Sequence, residues 1–193
     1  DNICAVKLHY DIINDLSDNF VERLNELKNN KNFLVIEDRK FADIPYISLK
    51  QLQNVMKFAD IVTVHGICGE SLVGELNSTG IGILLVHQMS VSNNLIDRLY
   101  SLRVKDMRSK FDNIVGFVSQ EIVSPNYLTF TPGINLDTKT DHMGQTYNNM
   151  SDRMTDIFIV GMGIYEDYNM ENKLREYKQK GYDVFKSQNI KLI

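Results

Sequence analysis

Phe33-Leu-Val-Ile-Glu37-Asp38-Arg39-Lys40-Phe-Ala-Asp43-Ile-Pro-Tyr-Ile47 opens as a short aliphatic run of strand type and then sets five charged residues within seven positions. They fall where such a strand should stop. On extended backbone alternate side chains share a face, so Asp38 and Lys40 point one way and Glu37 and Arg39 the other. Asp43 lies past the strand and can turn back or reach a neighbouring chain. Charge gathered at the exit of a buried strand reads as a site; the alternative is a solvated loop of mutually paired ions.

Outward from this stretch, strands and helices alternate. Toward the N-terminus lie a strand over Ile3–His9, with Lys7 and His9 on one face, and a helix capped by Ser17 or Asp18 that carries Phe20, Val21, Leu24 and Leu27 as its apolar stripe and ends at Asn29-Asn30. Toward the C-terminus the pattern predicts a helix over Tyr46–Phe58 with Leu49, Leu52, Val55 and Met56 inward, a strand over Ile61–His65 and a helix ending near Leu76. A strand over Gly82–Gln88 follows, apolar on both faces, then a helix within Asn93–Lys110 with Leu95, Ile96, Leu99 and Leu102 in helical spacing. Strands over Ile114–Ser119, Tyr127–Thr131 and Ile157–Val160 complete the series, before a helix that starts beyond Asn169 and stops at Gly181. The polar stretch Asn135–Asp152 is too long for an ordinary connector and is a candidate lid.

Both-face-apolar strands alternating with helices predict an α/β fold with a parallel sheet covered by helices. About seven strand–helix units are counted, where a complete (β/α)8 TIM-type barrel has eight and typically takes ~250 residues. The expectation is therefore such a barrel lacking its first strand–helix unit in this stretch, whether the stretch starts inside a longer protein, the barrel is open or something else fills the gap, with residues 1–193 as one domain and a doubly wound open sheet as the second choice.

Composition narrows the function classes. The chain is 43% hydrophobic and 24% charged with a formal net charge of −4, which gives no basic footprint for nucleic acid or an acidic membrane. No stretch approaches the roughly 18 uninterrupted apolar residues of a membrane helix. Asp1-Asn2 place no basic residue ahead of the first apolar run, so no signal-peptide pattern is read there and a cytoplasmic protein is expected. Cys4 and Cys68 fit neither a disulfide framework nor a metal-ligand spacing and read as reduced, buried thiols. His9, His65, His87 and His142 show no metal spacing either, so no metal is expected.

Glu37-Asp-Arg-Lys-Phe-Ala-Asp43-Ile44 resembles the signature of orotidine 5'-monophosphate (OMP) decarboxylases of the eukaryotic type, and the resemblance runs along nearly the whole chain. It continues through Lys7-Leu-His9-Tyr-Asp11, Ala59-Asp-Ile-Val-Thr-Val-His65-Gly66, Thr131-Pro-Gly133, Gly144-Gln145-Thr-Tyr147 and Ile159-Val-Gly161-Met162-Gly163. It agrees with the missing unit, because the family's first strand and helix, with an aspartate that holds the ribose, precede the part matched by Ile3–Asp11.

The resemblance implies a cofactor-independent enzyme that converts OMP to uridine 5'-monophosphate (UMP) and carbon dioxide, acting as a homodimer. Lys7, Asp38, Lys40 and Asp43 match an alternating Lys–Asp–Lys–Asp array, with Lys40 as proton donor, Asp38 beside the departing carboxylate and Asp43 completing the partner's site. Ser90 matches the residue that hydrogen-bonds the pyrimidine, Gln145 and Tyr147 match residues that close over the phosphate, and Gly161 and Gly163 could offer it backbone N–H groups. Two departures bear on the ribose-phosphate side. Met162 stands where the family has its phosphate-binding arginine, and Pro45-Tyr46-Ile47 replaces a Gly-Asn-Thr whose threonine serves the ribose. A catalytically inactive barrel kept for binding or structure is therefore a second reading, and a lyase acting on a substrate without phosphate a third.

Overall fold

A computed structural model describes residues 2–140 and 146–190. The expected phosphate-site residue Gln145 and His142 lie outside the described residues. The chain divides into two compact units, the first built from residues 3–87 and 98–116 and the second from residues 88–97 and 117 onward.

The first unit holds β1 (Ala5–Leu8), α1 (Asp18–Lys31), β2 (Leu34–Phe41), α2 (Pro45–Val55), β3 (Ile61–His65), α3 (Gly69–Asn77), β4 (Gly82–Val86) and α4 (Arg98–Met107). Its strands pair in parallel, β1 with β2, β2 with β3 and β3 with β4. Local chemistry sets the helix ends. Ser17 caps α1 by accepting the Phe20 N–H at 3.2 Å, and Asn32 closes the helix in the left-handed region with φ 54°. Pro45 begins α2, where its missing N–H costs nothing. Val35, Val62, Val64, Ile83, Leu84, Leu85 and Val86 are wholly buried, as strands covered on both faces require.

The strand β5 (Ile114–Val118) begins in the first unit and ends in the second, which also holds β6 (Leu128–Thr131), β7 (Ile157–Phe158), the short α5 (Met162–Tyr165) and α6 (Met170–Ile190). β6 and β7 are parallel. The core of this unit is Ile134, Met150, Tyr177 and Val184, with Phe158 and Ile164 packed against it. The seven strands are hydrogen-bonded in sequence order. Each strand therefore lies beside its predecessor, as in a β/α barrel, with none of the order reversal of a doubly wound sheet.

Several expected details are corrected. α4 begins at Arg98, so Leu95 and Ile96 precede it; Leu95 is 99% exposed, Leu99 and Leu102 are exposed too, and Val104 and Met107 take the inward positions. Met56 lies past α2 and is exposed. Phe20 and Leu27 on α1 are exposed as well. Gly181 does not end the last helix, because Tyr177 before it and Val184 after it are both held in the core of this unit. Both cysteines are free, but neither is buried as expected: Cys4 is exposed and Cys68 half-buried. In the stretch expected as a candidate lid, residues 141–145 lie outside the described residues; around them are the bridges Ile134–Asn148 and Thr140–Thr146 and a 3-10 turn over Met150–Asp152.

Candidate active site

The charged stretch leaves β2 through an irregularity. The β2–β3 register shifts between Glu37 and Phe41, and Lys40 adopts φ 57°, a left-handed conformation that a lysine rarely takes. Asp38 and Lys40 still emerge on the same side and Glu37 and Arg39 on the other, as the alternation of a strand predicts.

On the first side Asp38 sits between two ammonium groups. Its Oδ2 lies 2.6 Å from Lys7 Nζ and 3.5 Å from His9 Nε2, and its Oδ1 lies 2.9 Å from Lys40 Nζ. Lys7 Nζ is also 3.1 Å from His9 Nε2, which accepts, since an ammonium only donates. Parallel pairing of β1 with β2, Lys7 against Ile36, brings Lys7 and Asp38 to the same end of adjacent strands. Asp38 is 9% exposed. Burial pushes its carboxyl upward, but the charges of Lys7 and Lys40 and their hydrogen bonds outweigh it and hold the group below the usual aspartate range. His9 is held below the usual histidine range by burial and by Lys7, and His65, at the end of β3, by burial and by Lys40. The result is a partly dry cluster at the strand ends, with two cations on one carboxylate and neutral imidazoles beside them. Such an arrangement can stabilise a developing anion and hand it a proton.

On the other side, Glu37 is fully buried. Both of its carboxylate oxygens face the Tyr10 N–H, at 3.1 and 2.9 Å, and Arg39 pairs with Asp11 at 2.6 Å. These contacts tie the 3-10 turn Tyr10–Ile12 to β2, while the Tyr10 ring stacks on Phe58. The turn follows directly on His9. Burial raises the Glu37 carboxyl from its ordinary 4.5 to about 7, with nearby Asp11 and Asp38 adding to the rise.

Lys7, Asp38 and Lys40 are thus together. Asp43 is exposed beyond the strand; its Oδ1 accepts the Ile44 N–H at 2.7 Å and its carbonyl accepts the Ser48 hydroxyl at 3.2 Å. Ser90, Tyr147, Gly161 and Gly163 all belong to the second unit. Gly161 precedes α5, and the first N–H groups of that helix have no intrahelical acceptor. Gly163 must be glycine, because a Cβ there would run into the Tyr177 hydroxyl, which accepts the Leu136 N–H at 3.0 Å. Among the described residues no group of three or more His, Cys, Asp and Glu could hold a metal ion, and no helix is long and apolar enough to cross a membrane.

Sequence reasoning passed over two groups beside the array and one that holds the turn after β3. Thr63 is fully buried against Asp38 and Lys40, with its hydroxyl 2.9 Å from Asp38 Oδ1. A lone hydroxyl inside the apolar run Ile61–His65 needs a partner, and that was its signal. Glu37 carried the same signal as a carboxylate inside a buried strand. Tyr100, on α4, receives the Gly66 N–H and gives its own proton to the Val86 carbonyl, both at 3.0 Å. It pins the turn after β3, where Gly66 lets Val104 approach within 2.5 Å of the Cβ position.

A family model described as orotidine 5'-phosphate decarboxylase / HUMPS family matches residues 1–177. Among curated proteins, the chain is 33% identical over 200 residues to a uridine 5'-monophosphate synthase of Caenorhabditis elegans, covering 94% of this chain and 40% of that protein. It is 31% identical over 201 residues to an orotidine 5'-phosphate decarboxylase of Aureobasidium pullulans, covering 96% and 74%. The chain thus spans about two fifths of the synthase and about three quarters of the decarboxylase. Among solved structures, the orotidine 5'-monophosphate decarboxylase of Methanocaldococcus jannaschii complexed with inhibitor BMP matches with a TM-score of 0.67 at 22% identity, over 93% of this chain and 86% of that one. The enzyme from Metallosphaera sedula gives 0.69 at 18%, over 94% and 88%. At such identities the likeness is one of fold.

Proposed function

Because this chain belongs to the orotidine 5'-phosphate decarboxylase / HUMPS family, we propose that it is an OMP decarboxylase-like protein that forms UMP and carbon dioxide without metal or cofactor. The observation that carries this reading is the placement of the buried Asp38 carboxylate between Lys7 Nζ and Lys40 Nζ, at 2.6 and 2.9 Å. In the proposed reaction the bond from C6 of the pyrimidine to its carboxylate breaks, the electron pair stays on C6, and a proton from Lys40 Nζ replaces carbon dioxide there. Asp38 sits beside the leaving carboxylate and disfavours its bound charge. Lys7 neutralises Asp38 and keeps it ionised, so that Lys40 remains a cation until the carbanion develops.

Ser90 takes the pyrimidine edge, and Gln145, Tyr147 and the N–H groups at Gly161 and Gly163 take the phosphate. Asp43, exposed and engaged only locally among the described contacts, completes the site of a second chain in a homodimer. A single domain over residues 1–193 and a cytoplasmic location belong to the same reading.

Met162 and Pro45-Tyr46-Ile47 favour a second reading, a catalytically inactive barrel kept for binding or structure. A methionine thioether can neither carry charge nor donate a hydrogen bond to a phosphate. Titration calorimetry with 6-hydroxyuridine 5'-monophosphate, an anionic mimic of the carbanion, separates the two. Tight binding, followed by turnover of OMP that Lys40→Ala abolishes without unfolding the chain, supports the enzyme. Absence of binding by the folded protein supports the inactive barrel, and turnover retained by Lys40→Ala removes Lys40 from the mechanism.

A further inference from the structure

Lys40 has two unusual needs. Its backbone is left-handed at φ 57°, and the register shift across Glu37–Phe41 takes its N–H out of the β2–β3 ladder. That N–H donates instead to the Thr63 hydroxyl oxygen at 2.9 Å. An N–H can only donate, so the Thr63 proton is left for Asp38 Oδ1, also at 2.9 Å. The same Oδ1 lies 2.9 Å from Lys40 Nζ. One hydroxyl therefore bridges the backbone of Lys40 and the carboxylate that its side chain meets.

Thr63 is 1% exposed, so water does not substitute for either partner. Its branched Cβ restricts rotation about χ1, and β3 on which it stands pairs in unbroken register with β4 from Ile61 to His65. The hydroxyl is thus a fixed point on a rigid strand, while the bulge it contacts is the irregular partner. Without it the Lys40 N–H would lose an acceptor in a buried place and Oδ1 of Asp38 a donor.

We infer that Thr63 is a positioning residue of the site: its hydroxyl holds the β2 bulge that presents Lys40 and fixes the rotation of the Asp38 carboxylate beside it. This rests on the decarboxylase reading for its catalytic consequence, but the structural part stands apart from it. Thr63 touches no reacting atom; it acts through Lys40 and Asp38.

The test compares Thr63→Val, which keeps the shape and removes the hydroxyl, with Thr63→Ser, which returns it. Two readouts are taken on the full chain. The first is the proton affinity of the Asp38 carboxyl, followed by carbon-detected NMR through acid titration, a measurement that needs no turnover. Asp38 is faced by Lys7 and His9 from β1 and its exit and by Lys40 on its own strand, with His65 on β3 and Glu37 adjacent, and all of these are unchanged in both variants. Thr63→Val should raise the titration midpoint, with a loss of about tenfold or more in acid strength, and Thr63→Ser should return it.

The second readout is OMP turnover. Thr63→Val should lower kcat about ten- to a hundredfold with KM changed by less than about threefold, and Thr63→Ser should recover most of the loss. If the unsubstituted chain does not turn over OMP, the decarboxylase reading fails and the titration alone decides the role of Thr63. An unmoved Asp38 midpoint in Thr63→Val overturns the inference, as does a shift that Thr63→Ser does not reverse. Should Thr63→Val not fold, Thr63→Ala against Thr63→Ser makes the same comparison.

Discussion

Glu37→Gln tests the unusual protonation of the carboxyl behind the array. Glu37 is wholly buried and holds its proton up to about pH 7, against an ordinary 4.5, chiefly because burial penalises the charged form. At ~1.4 kcal/mol per tenfold change in proton affinity, that difference amounts to about 3 kcal/mol. The sign follows from where protons sit. Between pH 4.5 and 7 the folded chain binds a proton at this position that the unfolded chain has released, so stability from this group is full below about 4.5 and is lost as the pH rises through 7. His9 and His65 work the other way, since their folded affinity is depressed and they favour the folded state as the pH rises through the ordinary histidine range.

The unsubstituted curve mixes both signs, and subtracting the variant isolates Glu37. Glutamine keeps a carbonyl oxygen for the Tyr10 N–H and does not titrate; whatever its extra N–H2 costs is the same at both ends of the range. Urea unfolding at pH 5 and pH 8 should show the unsubstituted chain losing about 2.5 kcal/mol relative to Glu37→Gln, since at pH 5 the unfolded chain has already released most of this proton. With m near 1–3 kcal/mol per molar, the relative midpoint shifts by about 1 M or more. A stability difference equal at the two pH values, or one that favours the unsubstituted chain at pH 8, would show that Glu37 is ionised in the folded protein and refute the reasoning.

Met162→Arg restores a cation between Gly161 and Gly163. If its absence is the main defect of the phosphate site, affinity for 6-hydroxyuridine 5'-monophosphate should rise about ten- to a hundredfold, the equivalent of roughly 1.5–3 kcal/mol for a charged hydrogen bond; unchanged affinity would place the defect elsewhere. Mixing an Asp43→Ala chain with a Lys40→Ala chain should recover part of the activity that each has lost, because a hybrid dimer holds one complete site, whereas a monomer by analytical ultracentrifugation would exclude the shared site.

Much of this protein could be read from its residues because the governing interactions are local or periodic. Val62, Ile83 and Leu85 declared strands buried on both faces, and β3 emerged with the bounds expected from Ile61-Val-Thr-Val-His65. The cap expected at Ser17 or Asp18 fell on Ser17, and the helix expected from Tyr46 began one residue earlier at Pro45, because such ends depend on one or two neighbours. The alternation of Glu37, Asp38, Arg39 and Lys40 across β2 followed from the geometry of an extended chain, and the family signature pointed to the same four positions.

What the sequence left open depends on contacts between distant segments. α4 began later than its leucines suggested, since Val104 and Met107, not Leu95, meet the rest of the first unit. α6 continued through Gly181 because Tyr177 and Val184, on either side of it, are held in one core. The left-handed Lys40 meets Thr63 across the sheet, and the protonation of Glu37 follows from burial, with Asp11 and Asp38 nearby, against the opposing pull of the Tyr10 N–H. By itself the sequence determined which residues form strands and which carry charge, since both follow from near neighbours along the chain. Only the tertiary structure decided which charges meet, which hydroxyl holds them and which carboxyl keeps its proton, because those depend on distance and solvent exclusion between strands that are far apart in sequence.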